Sequence, residues 1–133
     1  MVDAIEVKDT YTIEDAENAF ADLRDELYGS NGSVVRMQRM IDNRDFEDLR
    51  RILQNYDNTL RYGKIRMASA FLPRAERTIT DLTGNAIAMD VIGMEQNCVE
   101  GKENPKALNR YLNELRTDLK TILDQEQFTV TKF

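Results

Sequence analysis

The sequence predicts an all-α protein, an up-down-up-down four-helix bundle, and three observations carry that prediction. Apolar residues recur at alternating spacings of three and four through most of the chain, which sets each group on one stripe of a helix. The stripes break at Asn43, Pro73 and Pro105, leaving four segments of broadly similar length joined by short turns. Finally, 41% apolar and 32% charged residues over 133 positions suit a single domain, 1–133, with a real core.

Residues 1–12 show no helical period. Ile5 and Val7 alternate with charged neighbours, so the segment reads as an extended arm, either a frayed terminus or a docking arm. Thr12 is the expected cap of helix one, with Glu14 and Asp15 in its first turn, where negative charge suits the helix dipole. Ile13, Ala16, Phe20, Leu23 and Leu27 form its stripe. Gly29-Ser30-Asn31-Gly32-Ser33 is a stop by local rules, yet the register runs on through Ser30, Val34, Met37 and Ile41. That continuity favours one long helix over 13–42, distorted at 29–33, with a true break after Tyr28 as the other reading.

Asn43-Arg44-Asp45 is the next turn, and Asp45 is positioned to cap helix two, 46–71, with Glu47 and Asp48 following it. Its expected inner stripe is Phe46, Leu49, Leu53, Tyr56, Leu60, Gly63, Met67 and Ala70. Glycine inside a helix costs about 1 kcal/mol against alanine, so Gly63 on that stripe reads as a point of close helix approach. Pro73 pushes Leu72 out of helical geometry and suits the first turn of a new helix. Helix three, 74–98, is expected to bury Ala75, Ile79, Leu82, Ala86, Met89 and Gly93. Gly84 then falls on the outer face, as a tolerated defect or as a point where a partner's backbone comes close. Asn104 caps and Pro105 begins helix four, 105–124, with Leu108, Leu112, Leu115, Leu119 and Ile122 inward. The tail, 125–133, alternates weakly.

The chain has no histidine, no tryptophan and one cysteine. Ser-His and Cys-His nucleophile pairs are therefore impossible, as are helix-borne Glu-x-x-His metal sites and Cys-x-x-Cys clasps. The expectation is a protein that is not an enzyme and carries no cofactor or metal. Glu14 with Asp15, and Asp22 with Asp25 and Glu26, lack the loop glycine and spaced oxygens of a calcium loop and read as helix-start and surface residues. Met37, Met67 and Met89 read as core filler. Cys98, off the inner stripe of helix three, reads as a structural thiol ahead of a redox or intermolecular role. No stretch approaches the roughly 18 to 20 apolar residues that span a membrane. Val2 to Tyr11 has no targeting pattern, implying that any such peptide has been removed.

Charge is uneven. Residues 1–33 carry nine acids and two bases (−7), 34–79 six acids and ten bases (+4), and 80–133 nine acids and six bases (−3). One basic band on an acidic chain is a poor footprint for nucleic acid and a better one for a protein surface of mixed charge. Arg50, Arg61 and Lys64 fall on one outer stripe, flanked by Arg51 and Arg66, with Arg36, Arg39, Arg74 and Arg77 extending the band. These nine residues are the candidate partner-binding set. The plainer reading is a solvated face balanced by Glu47, Asp48 and Asp57.

Leu60-Arg61-Tyr62, then Pro73, then Asp81-Leu82-Thr83-Gly84 form a spaced set. With Ile41-Asp42 before Phe46 and the Pro105 turn before Tyr111, it resembles the PsbQ-like extrinsic subunits of photosystem II over about residues 37–124. Phe46-Glu47 stands where plant members carry a tryptophan-proline step, and the algal members are the nearer likeness. The resemblance implies a four-helix bundle peripheral to the thylakoid membrane, on the lumenal face of photosystem II in the chloroplast. Its partners would be core antenna subunits, lumenal loops and other extrinsic subunits. Such subunits stabilise the oxygen-evolving complex and help it retain calcium and chloride, without catalysing or holding metal. The alternative is a helical adaptor unrelated to photosynthesis.

Overall fold

The structure, a computed structural model, describes residues 10–130. Most of the expected arm, 1–12, and the end of the tail, 131–133, lie outside the described residues. All regular structure among the described residues is helical, and no helix is long and apolar enough to cross a membrane.

Instead of four rods there are five α-helices of eight or more residues: α1 (Ile13–Tyr28), α2 (Ser33–Asp42), α3 (Phe46–Leu53), α4 (Arg74–Gln96) and α5 (Pro105–Asp124). Thr12 caps α1 as expected. Its hydroxyl accepts from the Asp15 amide at 3.0 Å while Asp15 accepts the Thr12 amide at 2.9 Å. The long helix over 13–42 is broken after Tyr28. Gly29 is extended, and the Gly32 amide donates to the Gly29 carbonyl, folding the chain tightly over the end of α1. A Cβ on Gly32 would lie 2.1 Å from the Asp25 carbonyl oxygen, so only glycine lets the chain turn this closely. Ser30, assigned to the stripe, is exposed.

Asp45 occupies the N-cap position of α3, but its side chain makes no cap bond. Beyond α3 the chain stays helical to Phe71 with changing geometry: Tyr56–Asn58, a π-helix at Thr59–Ile65, Arg66–Ala68, and a 3₁₀ turn at Ser69–Phe71. The Arg66 amide donates to the Arg61 carbonyl five residues back, the mark of π geometry. This extra residue per turn moves the buried stripe. Leu49, Leu53, Tyr56 and Leu60 are buried as expected, but the next is Ile65, then Ala68 and Leu72. Gly63 and Ala70 are only half-buried, and Met67 packs at the edge of the core. A Cβ on Gly63 would meet nothing within 4 Å, so no helix approaches there.

Leu72 is extended and Pro73 leads into α4, the expected bend. Of the stripe expected for α4, Gly93 is buried, Ala86 is half-buried and Ala75 is exposed. Thr80, Gly84, Ile87, Val91 and Met94 point inward, whereas Ile79, Leu82 and Met89 are exposed. Cys98, placed off the stripe, is fully buried, and its thiol donates to the Phe46 carbonyl at 3.6 Å. Asn104 caps α5 through the Ala107 amide, Pro105 opens it, and all five expected residues of its stripe are buried. The most extensive packing joins α4 to α5, running in opposite directions: Gly93 meets Tyr111 while Asp90 meets Asp118. After a short 3₁₀ turn at Gln125–Phe128, the Val130 amide donates to the Phe71 carbonyl, tying the tail to the 3₁₀ turn before Pro73.

Candidate functional site

The nine basic residues fall into several groupings, with Arg51 and Lys64 lining one hollow together. Arg50 donates to the Cys98 carbonyl (3.0 Å) and to Glu103 (3.2 Å), bracing the turn before α5. Arg51 pairs with Asp48 (2.5 Å) and Glu47 (3.5 Å), and Lys64 with Asp22 of α1 (2.5 Å). Arg36 and Arg39 border a separate hollow with Met40, Asn43 and Asp45, and Arg39 donates to the Ser30 carbonyl. Arg74 is exposed at the start of α4. Arg61, Arg66 and Arg77 line two adjoining hollows near the bend at Pro73: Arg66 lines both, and Arg77 lines the second with Tyr11 and Asp81.

The first of these hollows is a groove of about 360 Å³ between the π-helix and α4, with Tyr62, Ile65, Ser69, Thr80 and Asp81 among its walls. Expected on the outer face, Gly84 is buried, because the stem of Arg61 lies across it, with Cδ 3.4 Å from where a Cβ would be. From there the guanidinium reaches both oxygens of Asp57 (2.9 and 2.8 Å) and Asn85 (3.3 Å). It also sits 4.9 Å from the centre of the Tyr62 ring. The hydrogen bonds that Arg61 donates to Asp57 raise its pKa, so the group stays charged. Tyr62 itself is 59% exposed, an aromatic ring presented on a rigid frame.

Beyond this groove runs a ridge that includes Ile79, Leu82 and Met89, three residues expected in the core, together with Ile92. Leu82 and Met89 on the outer side of α4 are 64% and 63% exposed, and Ile79 and Ile92 are 41% exposed. The signal was present as spacing; it was read as the buried stripe because it is the more apolar of two.

On the far side of the ridge, α4 and α5 enclose a groove of about 510 Å³ lined by Asp90, Glu114 and Asp118. Asp90 is buried, and burial, with the Asp118 and Glu114 carboxylates beside it, pushes its pKa up to about 9. Nothing in the sequence pattern marks Asp90, since a single acid among apolar residues reads as the polar side of a helix.

Among the described residues, no group of three or more histidine, cysteine or acidic side chains is placed to hold a metal ion. Arg-rich, aromatic and apolar surfaces lying side by side can bind protein through stacking, burial and ion pairing. Compared with models of known families, with curated proteins and with solved structures, the chain matches none.

Proposed function

We propose that this protein is a non-catalytic helical subunit that docks on a larger assembly through the outer face of α4 and the Arg61 groove beside it. The observation that carries the reading is the set of four exposed apolar residues on one helix, Ile79, Leu82, Met89 and Ile92. Isolated exposed apolar residues are ordinary, but several on one helix face mark an interaction surface. The adjoining Arg61 and Tyr62 are of the types favoured at the centre of interfaces.

The assembly we propose is photosystem II, on its lumenal face, where the chain would stabilise the oxygen-evolving complex and support calcium and chloride retention. The support is the resemblance in sequence. Of the residues that carry it, Arg61, Tyr62, Asp81 and Gly84 line one groove. On this reading α1 and α2 together stand for the first rod of a four-helix bundle, split at 29–32, and 46–71 stands for the second.

The test is rebinding to salt-washed photosystem II membranes. The unaltered chain should bind and restore oxygen evolution at limiting calcium and chloride. Leu82→Glu with Met89→Glu should lower affinity at least about tenfold, the equivalent of 1.4 kcal/mol, with an unchanged helical spectrum. Absence of rebinding by the unaltered chain overturns the assembly, and equal rebinding by the variant overturns the surface.

A further inference from the structure

The acidic groove between α4 and α5 borders the ridge. Ala86 belongs to the same stripe as Leu82 and Met89, and it lines the groove together with Asp90. Asp90 is 4% exposed, and its Oδ2 has no hydrogen-bond partner among the described residues. Glu114 and Asp118, from α5, face it and form no ion pair among the described residues. The one cation at the groove, Arg110, lies over the Tyr111 ring at 4.8 Å. Three carboxyl groups thus line one open hollow; Asp118 and Glu114 hydrogen-bond the protonated form of Asp90, whose Oδ2 is buried without a further partner among the described residues. A buried acceptor in that condition is stabilised by whatever donor can reach it.

We propose that this groove receives the side-chain ammonium of a lysine on the docking partner. The inference rests on the docking reading above and names the chemistry of the partner. A lysine fits in three ways. Its ammonium has three donors and no acceptor, matching the carboxylates of Glu114 and Asp118 and that of Asp90 once it ionises. Its flexible four-carbon stem can enter from the open side while lying on Ala86 and the flank of Met89. Its residue can sit on a segment whose apolar neighbours cover Leu82 and Met89, so that one element fills both ridge and groove.

Asp90 holds a proton at neutral pH, because burial and the two acids beside it disfavour its charge. An entering ammonium favours the carboxylate, so the Asp90 proton is released to solvent as the lysine seats, and the ammonium keeps its own three protons. Binding then requires the ionised fraction of Asp90. The charged groups around it are Glu114, Asp118 and Arg110, all from α5. Affinity accordingly rises about tenfold per pH unit between about pH 6 and about pH 8.

The experiment is an NMR titration of the full chain with Nα-acetyl-lysine methylamide, beside Nα-acetyl-norleucine methylamide, which has the same stem without charge, and beside calcium. The lysine probe should shift resonances of residues 86–90 and 110–118, with the stated dependence on pH. The norleucine probe should leave them in place, and Asp90→Asn should remove the pH dependence while keeping the helical spectrum. No response to lysine, a response that Asp90→Asn leaves equally steep in pH, or a response to calcium alone overturns the proposal. Membrane rebinding separates the two readings. A chain that rebinds and ignores the lysine probe keeps the docking surface and loses the lysine groove; one that takes the probe and fails to rebind loses the assembly alone.

Discussion

The stem of Arg61 lies across Gly84, with Cδ 3.4 Å from where a β-carbon would stand, while its guanidinium closes on both oxygens of Asp57. An arginine crossing from the π-helix to α4 in this way joins two elements that would otherwise touch only through their apolar sides. It also fixes the wall of the groove that carries Tyr62.

The separation at Gly84 is ordinary van der Waals contact, so an added methyl fits. Gly84→Ala should stabilise the fold by about 0.5–1 kcal/mol, the gain in helix propensity. Gly93 behaves in the opposite way. A Cβ there would stand 2.4 Å from the Tyr111 ring, and Gly93→Ala should destabilise by about 1–3 kcal/mol through overpacking of α4 on α5. Urea unfolding of the two variants checks the opposed signs.

The π-helix carries one residue more than an α-helix needs between Leu60 and Ile65. Deleting Gly63, whose α-hydrogen side faces open space, turns the five-residue step into a four-residue one and leaves both buried stripes in phase. The deletion should cost no more than about 1 kcal/mol. Deleting Ala88 from α4 rotates everything beyond it by about 100° and should abolish cooperative unfolding. Thermal melts followed by circular dichroism distinguish the two.

Asp90 makes stability depend on pH in a direction unusual for a carboxylate. Its folded pKa, about 9, lies above the unfolded value near 3.9. Through that window the folded chain holds a proton that the unfolded chain has lost, so stability falls as pH rises from about 4 to about 9. Asp90→Asn removes this loss. The variant should match the parent below about pH 4 and exceed it by about 1–3 kcal/mol at neutral pH, with the margin growing toward pH 9. An equal margin at every pH would point to packing instead of ionisation.

Arg50 holds the turn between α4 and α5 by donating to the Cys98 carbonyl and to Glu103. Both it and Glu103 are partly shielded from solvent, so Arg50→Ala should cost about 1–2 kcal/mol and Arg50→Lys about half of that. Exposure of the turn should also speed modification of Cys98, which is otherwise fully buried. The rate of reaction with a thiol reagent reports it.

Local chemistry was legible wherever one residue type performs one task. Thr12 and Asn104 cap, Pro73 bends the chain, Pro105 opens a helix, and the leucine stripe of α5 is buried along its whole length. The break after Tyr28 was written in Gly29 and Gly32, and continuity of register argued the other way. Register describes which residues share a face; it carries no information on whether the backbone between two faces is continuous.

The sequence by itself determined that this chain is helical, where most helices begin and end, and that its surface is charged. Only the tertiary structure decided which side of α4 is inside. That helix has two stripes at helical spacing, and the more apolar one, with Ile79, Leu82 and Met89, faces outward. The neighbours decide the matter: the Arg61 stem covers Gly84, and Thr80, Ile87, Val91 and Met94 are buried against the rest of the core. The same holds for Asp90, whose chemistry comes from the two acids that α5 lays beside it, more than twenty residues away along the chain.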